Sequence, residues 1–282
     1  MLQSNAANEP SFVTQPDAVA TAIPAITRAE AAALATAELD RFLALIKTLE
    51  PQDWVKPTAC TAWCVRDILA HQAGAYASFA TFAAFRRHYA VPPKAGKLPE
   101  DVANEIQLAD RANRTPAELI AELEQVAPIA IANRARLPLP VRLIALPRPQ
   151  GAWLRLSHLL DEVYTRDTWM HRLDIARATG RPFSTDANHD GRIVALVLRE
   201  LDQVLAKHLR GESVRFLLRG TAGGAWLVGQ NRQAQSSIEM DVLDFNIYAS
   251  GRYTYEEALA KAKLAGNLDL ARAALRHTAI LY

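Results

Sequence analysis

The apolar periodicity of this 282-residue chain changes character once, at Gly211, and that change limits the fold to a helical part followed by a mixed one. Before Gly211 the apolar residues recur at helical spacing. Thr27 caps a helix over residues 28–50, with Ala32, Leu39, Phe42, Leu43, Ile46 and Leu49 on one stripe. A second helix is expected over 63–89, ahead of Pro92-Pro93, then a loop over 91–98 and a third helix over 100–114. Thr115-Pro116-Ala117-Glu118 is a capping box with proline at the first helical position, opening a helix to about residue 136 with a kink at Pro128. Residues 137–149 carry four prolines and read as a connecting loop. A helix over 153–179 stops at Gly180, with Pro182 beyond, and another spans 189–209.

After Gly211 the period shortens to that of strands. Strands are expected over 213–219, 225–228 and 237–240, with Gly223-Gly224 a turn, and helices over 242–250, 255–265 and 267–277. The reading is α+β: a flexible tail over 1–24, a helical bundle over 25–182 and a small mixed α/β domain over 183–282. The helix at 189–209 suits either domain, and no internal repeat is present.

Composition excludes several function classes. The net charge is +2, with 32 basic residues interleaved among 30 acidic ones, so no basic face points to nucleic acid. No apolar run reaches the ~20 residues a membrane span needs, and the first residues lack a secretory pattern, which together predict a cytoplasmic protein. Cys60 and Cys64, the two cysteines, cannot staple a chain of this length and read as small apolar residues near a helix start. The expected partner is a small-molecule substrate.

Two histidine motifs carry the chemistry. His71 lies late in Pro57-Thr58-Ala59-Cys60-Thr61-Ala62-Trp63-Cys64-Val65-Arg66-Asp67-Ile68-Leu69-Ala70-His71, and His171 follows Asp167 by four residues, one helical turn. A carboxylate and an imidazole on one face, joined by a distant histidine, supply three ligands for a divalent ion, most simply Zn2+, and leave a fourth position open. A lone histidine on an apolar helix is more often packed than ligating; the joint occurrence favours the metal. Asp174, three residues after His171, is a competing ligand or an orienting partner for an imidazole. His158 lies too far along its helix to share the metal with His171 and reads as structural. His88, His189, His208 and His277 read as solvated or capping residues. Trp54, Trp63 and Trp169 read as core or pocket walls.

The run Asp53-Trp54, Pro57-Thr58, Cys60, Trp63, Val65-Arg66-Asp67 and Ala70-His71 resembles the opening of the DinB-like superfamily, in particular its mycothiol-dependent maleylpyruvate isomerase branch. Asp167-x3-His171-x2-Asp174-Ile175-Ala176 is similar to the second metal motif of that family. Gly223-Gly224-Ala225-Trp226, Gly251-Arg252 and Gly266-Asn267 are similar to the sterol-carrier-like domain that follows it. The resemblance implies a four-helix bundle holding a divalent metal, usually zinc, through His71, Asp167 and His171, with aspartate where the family has glutamate. It also implies a low-molecular-weight thiol as cosubstrate, used for isomerisation or thiol transfer, and Arg252 as a catalytic contact to an anionic substrate. Two other functions fit the same residues: a non-enzymatic small-molecule or lipid-binding protein with a degenerate metal site, and a thiol-independent metal hydrolase.

Overall fold

The computed structural model describes residues 18–91, 97, 99–147, 153–280 and 282. Most of the expected tail, most of the expected loop over 91–98 and the end of the proline-rich stretch lie outside the described residues. The chain enters on a two-residue strand β1 (Ala18–Val19), then α1 (Arg28–Ile46) starts at Thr27, whose hydroxyl accepts from the Glu30 N–H at 3.2 Å while the Glu30 carboxylate accepts from the Thr27 N–H at 3.3 Å. Ala35, Leu39, Phe42 and Ile46, at helical spacing, are buried.

α2 (Val65–Ala80) is the central helix. Its Ala70, Ala73, Gly74, Ala75 and Ala77 are small enough for neighbours to press close, and the helix is buried from Ile68 to Ser78. The expected single helix over 63–89 is two helices, because Thr81 turns extended (φ −137°, ψ 147°) and its hydroxyl accepts from the Ala84 N–H, capping α3 (Phe82–Tyr89). α4 (Pro99–Ala109) and α5 (Pro116–Arg136) follow. The Thr115–Glu118 capping box forms as expected, and α5 continues through Pro128 as one helix. A bundle core of Leu39, Phe42, Ile46, Ile68, Leu69, Leu119, Leu123 and Ile175 joins α1, α2 and α5 to a later helix.

The proline-rich stretch is more ordered than a loop. It holds α6 (Leu139–Arg142) and β2 (Ala145–Pro147), which pairs antiparallel with β3 (Trp153–Arg155). The helix expected from residue 153 therefore begins three residues later, as α7 (Leu156–His158), passes through a π-helical turn (Leu159–Val163) and becomes α8 (Tyr164–Thr179). Gly180 stops it in the left-handed region at φ 70°, its N–H bonded to Ala176 O.

α9 (His189–Leu209) lays Val194, Val197, Leu198, Leu201, Leu205 and Leu209 against the C-terminal sheet. That sheet contains β4 (Ser213–Arg219), β5 (Gly224–Gly229), β6 (Ser236–Asp241) and β7 (Lys263–Gly266), in the order β1-β5-β4-β6-β7. α10 (Val242–Ala249), α11 (Tyr255–Lys261) and α12 (Leu268–Arg276) accompany it. The helix expected over 255–265 ends at Lys261: Ala262 turns extended, and β7 pairs Leu264 with Ile238. β1 pairs parallel with β5, Ala18 opposite Trp226, and Ala20 and Ile23 are buried in the sheet core. Residues 18–23 thus pack on that sheet where a flexible tail was expected: the backbone of Ala18–Val19 pairs with the β5 edge, and Ala20 and Ile23 enter the core. The fold is α+β, and a smaller core of Trp169, Met170, Leu173, Ile193 and Ile247 joins α8, α9 and α10. Among the described residues no helix is long and apolar enough to cross a membrane.

Candidate metal centre

α2 and α8 lie side by side, tied by a polar ladder. The Gln72 amide donates to the Asp167 carboxylate at 2.5 Å, the Thr168 hydroxyl donates to Gln72 Oε1 at 2.8 Å, and Tyr76 and Thr168 share a hydrogen bond at 3.2 Å. This pairing faces His71 toward Asp167 and His171. His71 Nε2 lies 3.4 Å from Asp167 Oδ2, and His171 Nε2 lies 3.3 Å from Asp167 Oδ1. The two rings are edge to face at 5.2 Å, and the Trp63 ring covers both, at 4.9 Å and 5.8 Å. Both histidines are buried.

The donor set fits a zinc-like ion. In a tetrahedral site with bonds of roughly 2.0–2.1 Å, neighbouring ligand atoms sit about 3.3–3.4 Å apart. The nitrogen–oxygen separations here are of that size, each imidazole facing a different Asp167 oxygen, and one ligand atom from each of His71, Asp167 and His171 lies within 4.8 Å of the others. The far nitrogens are already engaged: His71 Nδ1 lies 3.1 Å from Gln107 Oε1, and His171 Nδ1 lies 3.1 Å from Asp174 Oδ2. Both Nε2 atoms face the Asp167 carboxylate, where a divalent ion would take the place of their protons.

The electrostatics agree. Burial alone would push Asp167 upward, but His171 and His71 outweigh it and hold the carboxyl well below its usual range. Burial would push His171 down, yet Asp167 and hydrogen bonds to Asp174 and Cys60 raise it well above the ordinary imidazole value. The carboxylate and His171 thus stabilise each other's charged forms, and a divalent ion would compete with the His171 proton for the same place.

Asp174 therefore stands behind His171, not beside Asp167. Its second role is toward the C-terminal domain: Arg252, after α10, donates to Asp174 from Nε at 2.8 Å and from Nη2 at 2.6 Å, and its Nη2 lies 3.4 Å from Cys60 Sγ. Cys60, His171 and Asp174 also gather within 4.8 Å, but a cation there would face the Arg252 guanidinium, so this second cluster fits a metal poorly. Arg252, expected to grip substrate, is occupied at two of its three nitrogens and leaves Nη1 without a partner among the described residues.

Several expectations about single residues change. His88 is buried, its Nδ1 2.7 Å from the Ser78 hydroxyl, and His189 is buried with Nε2 2.8 Å from Glu38; both close polar gaps between helices rather than meeting solvent. His208 and His277 stack at 3.6 Å. His158 is held between Glu162 and Glu200. Trp169 is fully buried and donates to Asp190 at 2.7 Å. Cys64 opens α2, its thiol pushed up by burial and the neighbouring Asp67. Cys60 is the cysteine that reaches the site. Gln72, Gln107 and Cys60 were invisible as site residues in the sequence; only the position of Gln72 beside His71 offered a signal.

The family described as Mycothiol maleylpyruvate isomerase N-terminal domain matches residues 13–176, more than half of the chain. The chain belongs to that family. Two solved structures share the fold. One, of a histidine-to-alanine mutant of mycothiol-dependent maleylpyruvate isomerase, has 13% identity and a TM-score of 0.54, covering 85% of this chain and 93% of the other. The second, of mycothiol-dependent maleylpyruvate isomerase, has 14% identity and a TM-score of 0.53, covering 81% and 90%. No curated protein sequence matches the chain. Family membership extends through the two helices that carry His71, Asp167 and His171, and the structural likeness reaches into the C-terminal domain.

Proposed function

We propose that this chain is a metal-dependent enzyme that uses a low-molecular-weight thiol, of the mycothiol type named in its structural relatives, for isomerisation or thiol transfer on a small organic acid. His71, Asp167 and His171 are the ligands and Zn2+ the metal. The observation that carries this reading is the convergence of two buried imidazoles on one partly buried carboxylate, with the remaining imidazole nitrogens already bonded.

A divalent ion held by three protein ligands supplies an open position that lowers the pKa of a bound thiol and keeps it as the nucleophilic thiolate. The chain's own residues do the rest. Trp63 walls one side of the site and keeps the two imidazoles from bulk water. Asp174 holds His171 by its Nδ1–H, and Gln72 holds the Asp167 carboxylate. Arg252 presents its open Nη1 as the group that meets a substrate carboxylate, with Asp174 fixing the guanidinium plane.

One observation favours a binding protein instead: Arg252 already has a full carboxylate partner in Asp174. Elemental analysis separates the two. The enzyme reading requires about one equivalent of zinc in purified protein, lost in His171→Ala; protein that is metal-free and fails to take up added zinc leaves the binding reading standing. A third reading, a thiol-independent hydrolase, requires ester or amide turnover with no thiol added.

A further inference from the structure

α2 and α4 pack most tightly at Gly74. Gly74 of α2 faces Gln107 of α4 so closely that a Cβ at position 74 would lie 2.6 Å from Gln107 Cβ and 2.7 Å from its Cγ. The missing side chain lets the Gln107 amide reach past the α2 backbone to His71, one turn earlier. Gln107 is 1% exposed, its Oε1 3.1 Å from His71 Nδ1 and its Nε2 3.4 Å from the Ser78 hydroxyl.

The amide has two ends, and Ser78 settles which faces the histidine. The Ser78 hydroxyl has two nearer places for its proton, Gly74 O at 2.8 Å and His88 Nδ1 at 2.7 Å, so toward the more distant Gln107 its oxygen accepts from the NH2. The Gln107 carbonyl is then the end toward His71, and it can only accept. With the amide reversed, its NH2 would demand a lone pair on Nδ1 and put the His71 proton on Nε2, against Asp167.

We infer that Gln107, admitted by Gly74 and oriented by Ser78, is a positioning residue that fixes His71 as the Nδ1–H tautomer with Nε2 free to ligate. This rests on the metal reading of the site only for its effect on affinity; the tautomer itself is a property of the metal-free protein.

The test uses Gln107→Leu, which keeps the volume and removes the acceptor, and Gln107→Glu, which keeps the acceptor. Long-range 1H–15N spectra of metal-free protein at about pH 8.5, well above the ordinary imidazole range, report the His71 tautomer. Zinc affinity is read by competition with a chromophoric chelator. Wild type and Gln107→Glu should show the Nδ1–H form, and Gln107→Leu should lose it and bind zinc roughly 10–100-fold more weakly. A wild-type His71 protonated on Nε2, or a folded Gln107→Leu protein with unchanged tautomer and affinity, would overturn the inference. If wild type takes up no zinc, the metal reading fails by itself and the spectra still decide the role of Gln107. If Gln107→Leu does not fold, retention of tautomer and affinity in Gln107→Glu supports the inference, and their loss refutes it.

Discussion

Asp174 and Arg252 form a two-pronged ion pair, at 2.8 Å and 2.6 Å, that bolts the C-terminal domain to the helix carrying His171. The same carboxylate accepts from His171 Nδ1. A charge supplied by one domain thus bears directly on an imidazole of the other.

Removing that cation leaves Asp174 buried with only His171 and Cys60 beside it. Arg252→Ala should lower stability by about 3 kcal/mol, the usual cost of stranding one half of a buried pair. Arg252→Lys should recover only part, since an ammonium cannot span both oxygens. Urea unfolding measures both, and a loss under half a kilocalorie in the alanine variant would show the pair to be dispensable.

Asp167→Asn keeps the shape of the side chain but removes the charge between the two imidazoles. Zinc affinity should fall by at least roughly 100-fold, whereas Asp167→Glu should stay much closer to wild type, because a carboxylate one methylene longer can still reach the site. Chelator competition ranks the three proteins; equal affinities would remove Asp167 from the ligand set.

Glu200 and His158 make the fold sensitive to both acid and base. Burial would push Glu200 up, but Arg166 and His158 hold it far below the carboxylate range. Burial would push His158 down, but Glu162 and Glu200 raise it. The Glu200 contribution is complete above the ordinary carboxylate value and lost as pH falls through its depressed folded value. The His158 contribution is complete below the ordinary imidazole value and lost as pH rises through its elevated one. Stability from this cluster should peak between about pH 4.5 and 6.5. Thermal unfolding across pH should show Glu200→Gln less stable and its acid limb flatter; an unchanged acid limb would count against the assignment.

Gly74→Ala tests packing through the sign of its effect. An unobstructed helical glycine gains about 1 kcal/mol on conversion to alanine. Here the methyl meets Gln107 at 2.6 Å, so a loss of about 1–3 kcal/mol is expected instead. A stabilised variant in thermal unfolding would mean that α4 shifts freely.

How much of this was legible in the sequence depends on the range of the signal. Thr27, Thr115 and Gly180 state helix ends within a few residues, and the structure places those ends there. The Asp167–His171 turn was legible because its spacing puts both side chains on one helix face, and the structure brings His71 to them. Thr81 was missed because a lone threonine reads as helix interior until its hydroxyl is seen capping α3. β1, β2, β3 and β7 were missed because strands of two to four residues have almost no period of their own and exist by virtue of distant partners. Gln107 was silent for the same reason: its role is written at Gly74 and Ser78, on another helix.

The pairing of Ala18 with Trp226 makes the C-terminal domain discontinuous in the chain, with the whole bundle threaded between its first strand and the rest. Partners about 200 residues apart impose a slow, late closure on folding. During synthesis the first strand must wait, unpaired, while the bundle forms behind it and until β5 emerges. A single proteolytic cut after α9 would therefore not yield two intact pieces, since each fragment would carry away part of the same sheet.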